Sequence, residues 1–259
     1  MKSRQCLLML VLSLMSLPAA ALERMTWHVD GLERTALVHL PECSKNAPLV
    51  FGFHGHGGKS ENAARKFNLH GLWPEAVVVY MQGLPTPGRL TDPEGKKNGW
   101  QHQKGEQGDR DLAFFDAVMK TMLDQRGVDS ARVYATGHSN GGGFSYLLWV
   151  THPDLFAAIA PSAAGARALR EADPTPLPIM HFAGRNDPLV KFRNQKATMK
   201  RVCRINGCGR MATEWSPHCK SYNSGTAPLL ACIHDGDHGY PGFAPGATVR
   251  FFREHHREK

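Results

Sequence analysis

Several things are missing from this 259-residue chain, and each absence removes a class of protein. After residue 17 no apolar run approaches the roughly 20 residues that a membrane-spanning helix needs, so stable membrane insertion is not expected. No Ser/Pro-rich linker, internal repeat or low-complexity tract marks off a second domain. No Cys-x2-Cys pair is present, which argues against a zinc ribbon. His54-Gly55-His56 is followed by Gly57, Gly58 and Lys59, so the Asp-His half of a metallo-hydrolase pattern is lacking and no metal is expected. Acid is also short, 23 Asp and Glu against 31 Lys and Arg, yet no recognised nucleic-acid motif accompanies the net charge of +8, and no nucleic-acid partner is expected.

What is present begins with an address. Lys2 and Arg4 precede the uncharged run Cys6 to Leu17 and then Pro18-Ala19-Ala20-Ala21, the pattern of a signal peptide cut after Ala21. The expected organisation is therefore a signal peptide over 1–21 and a single catalytic domain over 22–259, secreted or periplasmic. Cleavage would remove Lys2 and Arg4 and leave a net charge of +6. Export suits the cysteines: four of the remaining five (Cys203, Cys208, Cys219, Cys232) crowd into thirty residues, where two local disulfides are expected. Four cysteines allow three pairings, and Cys43 stands apart.

Strand and helix signals alternate along the chain. Met25–Val29 and Arg34–Leu40 flank Asp30-Gly31 as a hairpin. Apolar strands are predicted at 48–53, 75–81, 132–136, 156–160, 178–183 and 228–234. Between them lie helices starting near Asn62, at Asp109 as an N-cap, near Phe144, through the basic stretch after Asp187, and at 247–254. A patternless Pro/Gly-rich loop spans 83–99; loops that long are usually functional or mobile. Alternation of this kind implies an α/β fold, a mostly parallel central sheet with helices on both faces, with ligands at the carboxyl ends of the strands. The loops at His54, Ser139, Asp187 and His238 all follow predicted strands and should gather on one edge.

The central stretch is Gly137-His138-Ser139-Asn140-Gly141, entered from a strand and left through a helix. Such a turn holds its serine on a strained tip, and glycines two residues to either side let strand and helix close on one another. A serine hydroxyl needs a positioned base, and the base an orienting acid. Ser139, Asp187 and His238 supply these in the order Ser, acid, His, with Asp235 and Asp237 as competing acids and His54 and His56 as competing bases. The developing oxyanion requires preorganised N–H donors. Asn140 offers one from its backbone, and His56 or Gly57 the other. Trp100 and Tyr240 are the aromatic candidates for substrate binding. Arg193 and Lys196 are the charged ones, because Arg193, Lys196, Lys200 and Arg204 share one helix face that could draw in an anionic substrate.

Phe51–Gly58, Gly108–Val118, Val133–Tyr146, Gly184–Val190 and Gly236–Gly242 together resemble the polyhydroxybutyrate depolymerase/feruloyl esterase family of secreted α/β-hydrolases. The resemblance implies a serine esterase of α/β-hydrolase fold that needs no cofactor, with Ser139, Asp187 and His238 at the family's triad positions. It also implies a disulfide in the segment Asn206-Gly207-Cys208 to Cys219; pairing of Cys208 with Cys219 and of Cys203 with Cys232 is the expectation taken forward. The expected substrates are polyester, hydroxycinnamoyl or acetyl-polysaccharide esters. Hydrolysis of an anionic polymer such as poly(aspartic acid) by the same triad is the alternative, and a non-catalytic extracellular polymer binder the reading from another class.

Overall fold

The computed structural model describes residues 22–223, 225 and 227–258, so the expected signal peptide lies outside the described residues. The chain opens with β1 (Glu23–Val29) and β2 (Leu32–His39), joined by Asp30 and Gly31 at φ of 49° and 77°. Positive φ at both positions gives a two-residue turn the twist that an antiparallel pair needs. There follow β3 (Leu49–Phe53), α1 (Ser60–Phe67), α2 (Leu69–Leu72) and β4 (Val77–Met81). The 83–99 loop contributes a two-residue ladder, β5 (Leu84–Pro85) with β6 (Asn98–Gly99), and leads to α3 (Arg110–Arg126). Then come β7 (Val133–His138), α4 (Asn140–Thr151), β8 (Ala158–Ser162), β9 (Ile179–Gly184) and α5 (Phe192–Ile205). The chain closes with β10 (Ala212–Ser216), β11 (Cys219–Tyr222), β12 (Leu229–His234) and α6 (Ala244–Arg253).

Ten strands form one sheet in the order β1-β2-β4-β3-β7-β8-β9-β12-β11-β10. The six from β4 to β12 run parallel, and antiparallel pairs flank them at both edges. The parallel strands read as unbroken apolar runs because both of their faces are buried. In β3, Leu49, Phe51 and Phe53 join the core beneath α3, α4 and α5, while Val50 joins the core beneath α1, α2 and α6. Helices thus cover both faces, and the carboxyl ends of β3, β7, β9 and β12 all open on one edge.

Three local expectations need correction. Asp109 precedes α3, but it sits at φ 57° and makes no side-chain cap; its carboxylate instead accepts from Gly105 N and Gln101 Nε2, closing the preceding loop. The β10–β11 hairpin was not anticipated, since Ala212–Ser216 and Cys219–Tyr222 are mostly polar and only partly buried and lack the apolar signal of a strand. That hairpin decides the disulfide. Cys219 lies directly opposite Cys232 in the β11–β12 ladder and is bonded to it, which overturns the pairings Cys208–Cys219 and Cys203–Cys232. Cys203 and Cys208 are neighbouring free thiols at the end of α5, and Cys43 is free and exposed.

Candidate active site

Strand β7 runs into α4 through Ser139, whose φ of 56° and ψ of −117° lie outside the regions that ordinary residues prefer. The flanking glycines are a packing requirement. A Cβ on Gly137 would come within 2.3 Å of the Gly141 carbonyl oxygen, and one on Gly141 within 2.3 Å of the Phe53 oxygen. The turn is tied to the next strand by Ser139 N donating to Ser162 O at 2.8 Å.

The structure brings Ser139, Asp187 and His238 together from three strand ends. Ser139 Oγ is 2.9 Å from His238 Nε2, and His238 Nδ1 is 2.8 Å from Asp187 Oδ2. The Asp187 side chain is fully buried. Its Oδ1 accepts from Leu189 N and Val190 N, and its Oδ2 also accepts from Gln195 Nε2 at 3.0 Å. The competing acids are engaged elsewhere: Asp235 is exposed and pairs with Arg185, and Asp237 folds back on Gly239 N. His54 is buried, its Nδ1 bonded to Gly55 O and its Nε2 accepting from Gly83 N, and burial pushes its pKa down to about 4.

His138 packs its ring against His238, centroids 5.0 Å apart. Burial, and then the neighbouring His238, push its pKa down to about 3, which keeps a neutral ring beside the imidazole. The backbone N–H of Asn140 opens α4, where first-turn donors have no intrahelical acceptor. Gly57 N donates to Asn98 O, whereas His56 N finds no acceptor among the described residues. Of the two, His56 therefore keeps its backbone N–H available. Its side chain is occupied separately, bonded through Nε2 to Asp92, which also accepts from Lys96 N and Lys97 N and so pins the 83–99 loop over the site.

The four substrate-binding candidates do not line the cleft. Trp100 is fully buried, donates Nε1–H to His54 O, and is clasped by the Asn140 amide, whose Oδ1 accepts from Trp100 N and whose Nδ2 donates to Trp100 O. It supports the turn. Tyr240 packs against His138, Phe67 and Phe182; its hydroxyl is buried and its pKa raised to about 12 by burial. Arg193 and Lys196 are exposed on α5, but that helix turns Asn194, Ala197, Thr198, Arg201 and Arg204 toward the cleft instead. Of the expected face Arg193, Lys196, Lys200 and Arg204, the last lines the cleft. The cleft, about 1360 Å³, has Ser139 and His238 at its base and Phe67, Leu90, Leu189 and Val190 among its apolar walls.

Gln195 is the site residue the sequence reading missed. It falls in line with Phe192, Met199 and Val202 on the apolar face of α5, and a polar side chain within such a stripe was the available signal. Among the described residues no three His, Cys, Asp or Glu side chains meet in a group able to hold a metal, and no helix is long and apolar enough to cross a membrane.

Sheet order and the strained serine turn define an α/β-hydrolase. A profile of the prolyl oligopeptidase family matches residues 92–201. Feruloyl esterase C of Emericella nidulans is 30% identical over 221 residues, covering 81% of this chain and 78% of its own. A probable feruloyl esterase C of Aspergillus clavatus is 28% identical over 241 residues, covering 87% and 84%. Among solved structures, acetyl xylan esterase from Aspergillus awamori superposes with a TM-score of 0.64 at 16% identity, covering 90% of this chain and 99% of that one, a likeness of fold. The chain belongs to the feruloyl esterase family of α/β-hydrolases and is a carboxylic-ester hydrolase.

Proposed function

We propose that residues 22–259 form one catalytic domain, exported behind the 1–21 signal segment, that cleaves esters through an acyl-enzyme on Ser139. His238 Nε2 takes the Ser139 proton as Oγ attacks the ester carbonyl, and Asp187 holds the imidazolium that results. The tetrahedral oxyanion is met by the N–H groups of His56 and Asn140. Collapse expels the alcohol, which leaves with the proton from His238; water activated by the same imidazole then releases the acid. The observation that carries this reading is the unbroken contact Ser139 Oγ to His238 Nε2 to Asp187 Oδ2, at 2.9 and 2.8 Å. Ser139→Ala should abolish turnover and labelling by an organophosphonate, and Asp187→Asn should lower kcat by about 10⁴. Retention of activity within tenfold of wild type in either variant refutes the triad.

Apolar walls beside the serine suit a hydroxycinnamoyl acyl group, an acetylated polysaccharide or a hydroxybutyrate unit. The names of the relatives favour the first. A second reading, an anionic polymer such as poly(aspartic acid), is favoured by one specific feature. Arg65, Lys66, Arg89, Lys97, Arg170 and Arg204 line the cleft, and among the described residues none of their side chains forms an ion pair with a carboxylate. Arg167 and Arg201 line it as well, held by Glu106 and Asp173. Among the described residues no Asp or Glu lines the cleft, and clefts of a single sign concentrate ligands of the other.

A further inference from the structure

Behind the triad acid lies a buried polar layer that ester cleavage as set out above does not use. Tyr146 on α4 and His181 on β9 are both fully buried, with Tyr146 Oη 2.8 Å from His181 Nδ1. The other face of the His181 ring meets the Gln195 side chain. Among the described residues neither His181 Nε2 nor Gln195 Oε1, both buried, makes a hydrogen bond, and each has what the other lacks. Gln195 spends both amide protons elsewhere, on Asp187 Oδ2 at 3.0 Å and Val190 O at 2.7 Å.

Only one set of proton positions satisfies this layer. Gln195 Nε2 must face Asp187, because the opposite orientation would set Oε1 against a carboxylate. Oε1 then faces His181 and calls for a proton on Nε2, which leaves Nδ1 as an acceptor for the Tyr146 hydroxyl. A neutral imidazole provides this pair of roles, and burial pushes the His181 pKa down to about 4. The two hydrogen bonds, Tyr146 to His181 and Gln195 to Asp187, then point the same way, with His181 Nε2–H and Gln195 Oε1 as the complementary pair between them.

We propose that Tyr146, His181 and Gln195 are positioning residues, a directional chain that locks the Gln195 amide and thereby the Asp187 carboxylate plane on which His238 is aligned. The proposal rests on Asp187 being the triad acid. A reversed amide would exchange an attractive contact for a repulsive one, 3.0 Å from the carboxylate oxygen that accepts the His238 Nδ1–H hydrogen bond. Misplacement on that scale costs turnover, with no change in how substrate is held.

The test uses the full exported chain and a small neutral ester. His181→Phe should lower kcat by about tenfold to a hundredfold with KM unchanged. It should also shift or broaden the downfield proton NMR resonance of His238 Nδ1–H. His181→Gln, which can accept from Tyr146 and donate to Gln195, should restore both. If His181→Phe does not fold, Tyr146→Phe decides, since it removes only the hydroxyl that selects the tautomer; it should lower kcat at constant KM and move the same resonance. An unchanged kcat and resonance in whichever of these two variants folds overturns the proposal, as does failure of folded His181→Gln to restore either. Asp187→Asn in the same assay separates the two ideas. If Asp187→Asn is harmless the triad reading fails, and if it is severe while the chain variants are silent only the positioning proposal fails.

Discussion

Stability should fall steeply between pH 7 and pH 5, well before the bulk of the carboxylates titrate. Two buried imidazoles, His54 and His181, have pKa values pushed down to about 4 by burial, from 6.5 in the unfolded chain. Where the folded pKa is depressed, the unfolded state binds protons first, so the stability these groups supply is complete above pH 6.5 and is lost as pH falls toward 4. At pH 5 an unfolded histidine is almost wholly protonated and the buried one almost wholly neutral, a difference worth about 2 kcal/mol per site relative to pH 7. The pair contribute about 4 kcal/mol. His138, pushed down to about 3, adds in the same direction. Against a total stability of roughly 5–15 kcal/mol for a typical domain, that is enough to bring acid unfolding into view near pH 5.

The assay is urea unfolding followed by intrinsic fluorescence at half-unit steps from pH 7.5 to 4.5, with the disulfide intact. His181→Gln supplies the control, because it removes one titrating group from the same buried position. Its loss between pH 7 and pH 5 should be smaller by about 2 kcal/mol. A flat profile over that window would refute the argument, and so would a variant whose profile matches that of wild type.

The remaining predictions concern the crosslink and the cleft. Replacing Cys219 and Cys232 by serine opens a loop with a sequence separation of 13, a change of about 3 kcal/mol in the chain-entropy account, and should lower Tm by about 6–12 °C; an unchanged Tm under oxidising conditions would contradict it. Arg170→Glu combined with Arg204→Glu should reduce kcat/KM for polyaspartate and spare a neutral ester. The deficit should shrink as the Debye length falls from about 10 Å at 0.1 M salt to about 3 Å at 1 M. Arg193→Glu with Lys196→Glu, on the part of α5 outside the cleft, is the matched comparison, and equal losses from both pairs would remove the case for cleft charge.

How much of the site was legible depended on whether a residue's role is local. Ser139, Asp187 and His238 each sit in a glycine-marked loop directly after a buried strand, and parallel strands send such loops to one edge, so their proximity was readable from order alone. Trp100 and Tyr240 were readable as aromatics beside the site, but the direction of each ring is set by partners far away in sequence: His54 and Asn140 for one, Phe67 and Phe182 for the other. The phase of α5 was misjudged in the same way. Counting charges chose the face with Arg193, Lys196, Lys200 and Arg204, whereas packing of Gln195, Thr198, Met199 and Val202 against the sheet fixes the rotation, so that of those four only Arg204 lines the cleft and Arg201 joins it. The disulfide was misread because it depends on β11, a strand with little apolar signal.

Helix α5 therefore carries two tasks whose separation is set by helix geometry. Its first turns hold the acid through Gln195, and its last turn presents Arg204 to the cleft, nine residues or about 13 Å further along at 1.5 Å per residue. That spacing exceeds the roughly 7–10 Å within which substitutions usually couple. Met199 and Val202, buried between the two, fasten the helix to the sheet so that neither end moves with the other. The charge along the cleft can then be altered at one end while the position of the Asp187 carboxylate is kept at the other. This is a physical route by which an esterase scaffold can change the charge of its cleft while leaving its reaction intact.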